Sequence, residues 1–383
     1  MYLSDGGSLF IWQLECGHLT RWAFGPEGTS SVSADDGFAK ALERAGGTLA
    51  VTTDPGGLFL IGPPSAGRPV EFSLLPLEHA WGLAASPERL AVSTAREIVV
   101  FANTPVVAAL HPDRSDFHDA AFSPRLSFFT GSCLIHDLAI TPAGLLASNT
   151  SFSVVSLIDG RFNFDIAWHP PFISAVLPED RCHLNGIAVA DGQLRYVTAF
   201  GRFDAPRGWR DQPNDRGVLL DVAADGRPLC EDLMLPHSPR LVGERLFVAE
   251  AGRGAVLEID RTTGARRETA RLPGFTRGIT AAGSILFVGL SPVRGTARFA
   301  RGSLDIGGEL VAGVAALDLS SGALLGMLTF DEVALEVFDL GFLPGIRRPA
   351  IGDGRQAGTC YAAESRAGCY WMRVGDDMRK NKA

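Results

Sequence analysis

The sequence predicts an all-β chain folded as a single six-bladed β-propeller with one short N-terminal helix. Three observations predict it. Short β-rich runs alternate with Gly, Asp or Pro turns, one unit recurs at intervals of 40 to 62 residues, and the last unit lacks strands that the start of the chain can supply.

The elements follow in order. Residues 1–30 read as an N-terminal extension, in which the strand-like SLFIWQL leaves a seventh blade open. Asp35 and Asp36 precede FAKALERA, whose Phe38, Leu42 and Ala45 recur at helical spacing before Gly46 and Gly47. One helix is expected there. From residue 47 strands dominate: TLAVTT, GLFLIG, REIVVF, LRYVTAF, GVLLDV, RLFVAEAG, ILFVGLS and VAALDLSSG are too short for helices. The repeat reads WGLAASPERLAVS at 81, HDLAITPAGLLAS at 136, NGIAVADGQLRYV at 185, HSPRLVGERLFVA at 237 and RGITAAGSILFVG at 277. At 237 the register holds only if Pro239 takes the apolar position. A truncated copy, DLGFLPG, begins at 339. Pairing that strand with TLAVTT, GLFLIG and VEFSLLP seals the ring and removes two exposed edges. The propeller then spans 31–349, and 350–383 is a C-terminal tail rich in Gly and charge.

Two segments fall outside the register. FHDAAF at 117–122 is expected as an outer strand or loop, and the polar insertion at 201–217, with Trp209, is either a lid or a solvated excursion.

Composition limits the function. Hydrophobic residues at 46 % and charged residues at 20 % call for a packed core, and a net charge of −8 argues against nucleic-acid and anionic-membrane partners. The start of the chain lacks a basic leader, and no run of about 18 apolar residues exists. Six dispersed cysteines without a C-x-x-C pair suit a reducing, cytoplasmic setting with buried or idle thiols. Motifs for a nucleophile elbow, a P-loop or a dinucleotide turn are absent.

In a propeller the innermost strand of each blade lines the channel, so the residues that open those strands converge at its mouth. The lead residues are Trp81, His136, Asn185, His237, Arg277 and either Phe338 or Asp339, with Asp137, His183 and Arg240 beside them. His79 stands two before Trp81, as His183 stands two before Asn185. Neutral imidazole is a favoured ligand for Zn, Fe and Cu, so His136, His183 and His237 are candidate metal ligands. The alternative is that they bond backbone carbonyls around a polar channel. A calcium-type shell from Asn185 and Asp339, with Glu250 or Glu336, competes with the imidazole set. Asp137, Asn185 and Asp339 are candidate catalytic or orienting groups. Arg240 and Arg277, with Trp81, are candidates for binding an anionic substrate group; alternatively the arginines pair with Asp137 or Asp339 to neutralise the channel.

The strings HDL at 136, EDRCHLNG at 179, PHSPR at 236, GFTRG at 274 and FDLGFLPG at 338 resemble an uncharacterised bacterial β-propeller family, a domain of unknown function. That resemblance spans about residues 47–349 and implies the fold without an activity. The HLNGIA element is also similar to the strand start of gluconolactonase and regucalcin-type six-bladed propellers. It implies a metal-ligand role for Asn185, although His136 and His237 depart from the oxygen-rich shell of that type.

The expected function is a metal-dependent enzyme with a histidine-lined axial site acting on a small-molecule or peptide anionic substrate, by hydrolysis or elimination. An iron or copper oxygenase using the same histidines, and a non-catalytic binding or scaffold propeller, remain the alternatives.

Overall fold

The ring closes where its two ends meet. In the computed structural model, which describes residues 2–5, 8–15, 18–24, 32–65, 67–292, 304–330, 336–355 and 359–375, strand Glu336–Pro344 pairs antiparallel with Gly47–Asp54. Gly57–Gly62 and Glu71–Pro76 complete this closing blade. Blade 1 runs outward through Leu83–Ala85, Arg89–Ser93, Glu97–Asn103 and Ala120–Phe129, and Pro349–Ile351 adds a parallel strand on its rim. Blades 2, 3 and 4 are four-stranded and open with Ile135–Thr141, Leu184–Ala190 and Pro236–Val242. Blade 5 opens with Phe275–Ala282, and Val32–Ala34 is added to its outermost strand. Each innermost strand packs against the next around the full circle. The count is six. The strands of residues 2–24 pair only with one another, so no seventh blade forms among the described residues.

The expected helix spans Asp36–Ala45. Asp35 caps it by accepting the Phe38 N–H at 2.7 Å, and Gly46 ends it in the left-handed conformation. Its buried side, Phe38 and Leu42, joins a core that spans blade 5 and the closing blade. Asp35 also accepts the Met327 N–H of blade 5. Removing the carboxylate (Asp35→Ala) is therefore expected to cost about 1 kcal/mol, read as a lower urea midpoint at unchanged slope.

Further apolar clusters, each built mainly from facing strands of consecutive blades, hold the ring together. FHDAAF leads into the outer strand of blade 1. The tail forms a hairpin, Cys360–Ser365 with Gly368–Arg373, docked on that strand through Ala362 N–H to Ser123 Oγ and Trp371 Nε1–H to the Val107 carbonyl. Cys133, Cys182, Cys230 and Cys360 are buried thiols, and burial pushes Cys182 up to about 12. Cys16 lies among residues whose side chains are not described. Among the described residues, no helix is long and apolar enough to cross a membrane.

Five innermost strands carry the same irregularity. One extra residue is inserted at or just after the lead position of blades 2, 3, 4, 5 and the closing blade. A bulge of this kind re-aims side chains at a strand end. In blade 4 the insertion falls between His237 and Arg240, and Pro239 stands where other repeats carry Leu83, Leu138, Ile187 and Ile279.

Candidate functional site

The residue after each lead position is alternately glycine and polar: Gly82, Asp137, Gly186, Ser238, Gly278, Asp339. The polar ones staple the inner strands together. Asp339 accepts the Leu83 N–H at 3.1 Å, Asp137 accepts the Ile187 N–H at 3.0 Å, and Ser238 accepts the Gly278 N–H at 2.9 Å. Each reaches forward to the next blade, giving an approximate threefold pattern inside the sixfold ring. The glycines permit the approach. A Cβ on Gly82 would stand 2.8 Å from Asp137 N, and one on Gly186 would stand 2.8 Å from Ser238 N.

Arg240 fills the centre of this layer. Its guanidinium donates to both Asp137 oxygens at 2.8 and 3.0 Å, to Asp339 Oδ1 at 3.0 Å and to the Ile187 carbonyl at 3.0 Å. Burial, opposed by Arg240 and reinforced by Asp137, raises the Asp339 carboxyl to about 8. Three expected assignments change here. Asp137 and Asp339, expected as catalytic groups, and Arg240, expected to bind substrate, neutralise one another in a plug across the channel. Their hydrogen-bonding capacity is committed to this layer. Beyond the plug, at the strand ends, lies a cavity of about 760 Å³ lined mainly by small apolar residues, with Arg240 at its floor.

The other face, at the strand starts, carries the histidines. The geometry identifies their tautomers. His237 Nδ1 lies 2.9 Å from the Leu235 carbonyl, which can only accept. His183 Nδ1 lies 3.0 Å from the Asp180 carboxylate. Thr150 donates its only hydroxyl hydrogen to the Leu184 carbonyl at 2.6 Å, so it accepts from His136 Nδ1 at 3.3 Å. His79 Nδ1 faces Asp54 at 2.9 Å. In all four, Nδ1 is the nitrogen that donates, and in a neutral imidazole the lone pair then falls on Nε2. Burial, helped by His183 and Arg277, holds His136 well below the usual imidazole value. Burial and Arg277 do the same to His237. His136 keeps some exposed surface at the mouth, but the protein around it still disfavours a charge.

These imidazoles belong to a closed belt of rings. Trp81 meets His136 with centroids 5.9 Å apart, His136 meets His183 at 5.4 Å, and His183 meets Phe200 at 4.4 Å. Phe200 meets His237 at 5.4 Å and His237 meets Phe275 at 5.5 Å. Arg277 spans the next gap, over Phe275 at 5.1 Å and Phe338 at 4.5 Å, and Phe338 returns to Trp81 at 6.1 Å. Glu336 stands 3.5 Å from Arg277.

The three expected metal ligands therefore share one mouth from two positions in the repeat. His136 and His237 are lead residues of blades 2 and 4, whereas His183 stands two before the lead of blade 3, and Phe200 lies between it and His237. Among the described residues, no group of three or more His, Cys, Asp or Glu side chains is spaced to hold a metal ion. Asn185, the lead residue between them, is 2 % exposed. It accepts from Thr198 at 2.9 Å and donates to the His183 carbonyl at 3.3 Å, so it orients neighbours. Glu250 is likewise committed, to Met234 N–H and Arg253. Phe200, Phe275, Asp180 and Thr150 were not legible as site residues. Only the short step from Asp180 to His183 hints at one of them.

Among solved structures, the ring is similar to a chain from the crystal structure of a nidogen/laminin complex, with 14 % identity over 78 % of this chain and 99 % of that one, at a TM-score of 0.51. It is also similar to a protein of unknown function from Bacteroides caccae, with 10 % identity over 78 % of this chain and 98 % of that one, at 0.47. At such identities the first likeness speaks for the fold alone. No curated protein matches the chain. One family model, described as a domain of unknown function (DUF4915), matches residues 36–351.

Proposed function

For this chain, which belongs to the DUF4915 family, we propose that the strand-start mouth is the site of a metal-dependent enzyme acting on a small anionic substrate by hydrolysis or elimination. One observation carries the reading. His136, His183 and His237 each have Nδ1 bonded to an acceptor, which in the neutral imidazole puts the lone pair on Nε2. That is the tautomer, with the orienting partner, in which imidazoles ligate metals. The donor chemistry suits zinc, iron or copper better than calcium. Such an ion supplies Lewis acidity that brings water towards ionisation near neutral pH. The chain's own contributions are distinct. Arg277, over the rings of Phe275 and Phe338, receives the anionic group. Trp81 and Phe338 wall the substrate and exclude water.

The belt of rings closed by Arg277, together with the spacing of the imidazoles, favours a second reading: a binding mouth without chemistry, which takes a planar anion between rings and guanidinium. Elemental analysis after zinc, iron or copper loading decides between them. The enzyme reading expects one ion per chain, lost in the His136→Ala/His237→Ala double variant while its circular dichroism is unchanged. Failure of the wild type to retain any ion overturns it and leaves the binding reading.

A further inference from the structure

The insertion at 201–217 is gripped by three consecutive residues, Glu179, Asp180 and Arg181, that directly precede Cys182 and His183. The Glu179 carbonyl accepts the Arg207 N–H at 2.9 Å. Arg181 donates to Asp204 at 2.7 Å and to Glu179 at 2.8 Å. Asp180 Oδ2 accepts the Trp209 Nε1–H at 3.0 Å, and Asp180 Oδ1 accepts the His183 Nδ1–H at 3.0 Å. One carboxylate thus holds both the insertion and a histidine of the mouth. Trp209, 9 % exposed, lies against His183 with centroids 4.3 Å apart, and Phe200 takes the other neighbouring place at 4.4 Å.

The backbone shows the same commitment. Asp180 and His183 have φ of 48° and 49°, a left-handed conformation that non-glycine residues keep only where surrounding bonds impose it. The construction also occurs a second time. Asp54 Oδ2 accepts both His79 Nδ1–H at 2.9 Å and Trp81 Nε1–H at 3.3 Å. There the tryptophan is two residues from its histidine, at a strand start of the ring itself. Trp209 instead sits on an inserted segment whose Arg202, Arg207 and Arg216 are exposed. Only the Asp180 triad can open without disturbing a blade.

We propose that residues 201–217 form a lid over the strand-start mouth, latched by Glu179, Asp180 and Arg181, and that Asp180 is a positioning residue coupling closure of this lid to the tautomer of His183. The lid's effect on a substrate rests on the function proposed above; the latch itself does not. When the lid is docked, Trp209 walls the ring face of His183 and the carboxylate keeps the proton on Nδ1. When the latch is broken, the insertion leaves and its arginines become open to protease.

The test reads both ends of the latch in the full chain, without added metal. Limited trypsin digestion reports the lid, and imidazole nitrogen chemical shifts at constant pH report the tautomer of His183. Arg181→Met and Trp209→Phe are expected to raise cleavage within 201–217 at least tenfold and to leave His183 protonated on Nδ1. Asp180→Ala is expected to raise cleavage equally and also to give His183 a mixture of tautomers. Unchanged urea midpoints within the three variants separate lid opening from unfolding. Cleavage within twofold of wild type in all three variants, or an unaltered His183 tautomer in Asp180→Ala, overturns the proposal. Because no metal enters these readings, the latch can stand if the metal is absent and can fail if it is present.

Discussion

Replacing Arg240 by methionine is expected to destabilise the propeller by about 3–5 kcal/mol, because the change leaves the buried Asp137 carboxylate beside Asp339 with no cation to pair it. Asp137 and Asp339 are 2 % and 1 % exposed, so water cannot take the place of the guanidinium. Urea unfolding at pH 7 measures the loss. Adding Asp137→Asn and Asp339→Asn to the variant is expected to return part of it, since the charges rather than the shape cause the penalty. A triple variant no more stable than the single one would show that Arg240 acts by packing alone. The same layer shapes the pH dependence. Asp339 has a folded-state pKa raised towards about 8, so between pH 4 and 8 the native chain binds more protons than the unfolded one. Its contribution to stability is full below the ordinary carboxyl value and is lost as pH rises through that window. Asp339→Asn should flatten the fall. His136 and His237 act with the opposite sign: kept neutral when folded, they lower stability as pH drops below about 6.5.

Gly278→Ala is expected to cost about 3 kcal/mol. A Cβ there would stand 2.8 Å from Leu340 N and 2.9 Å from the Asp339 backbone, and the residue holds φ +65°. Strain and overpacking therefore add, each of order 1–3 kcal/mol. Gly283→Ala is the control. It shares a positive φ of +57° but meets nothing within 4 Å, so only about 1 kcal/mol of backbone strain is expected. Equal losses in the two variants would mean that the close approach of inner strands at the axis does not limit stability.

The periodic features of this protein were open to sequence reasoning because they depend on local rules. The helix after Asp35 is specified by its cap, its apolar spacing and its terminal glycine. The closing blade follows from a final unit that lacks partners. The lead positions could be aligned, and Trp81, His136, His237, Arg277 and Phe338 do meet in one belt. The roles at the axis were harder to read. Asp137 and Asp339 look like catalytic acids in one dimension and prove to be staples, because their partners are N–H groups of the next blade. For Arg240 both substrate binding and pairing with Asp137 or Asp339 were open, and the structure has it paired with both. Trp209 stood out as the tryptophan of a polar insertion, but its carboxylate partner did not.

The sequence by itself determined the repeat and the residues that begin each inner strand, since strand period and turn chemistry act along the chain; chain closure called for six blades and left a seventh open, which the structure excludes among the described residues. Tertiary structure alone decided which of those residues face the mouth and which seal the channel. The reason is geometric. A single extra residue at an inner strand start re-aims the side chains around it, and hydrogen bonds between blades join positions about 40 to 260 residues apart.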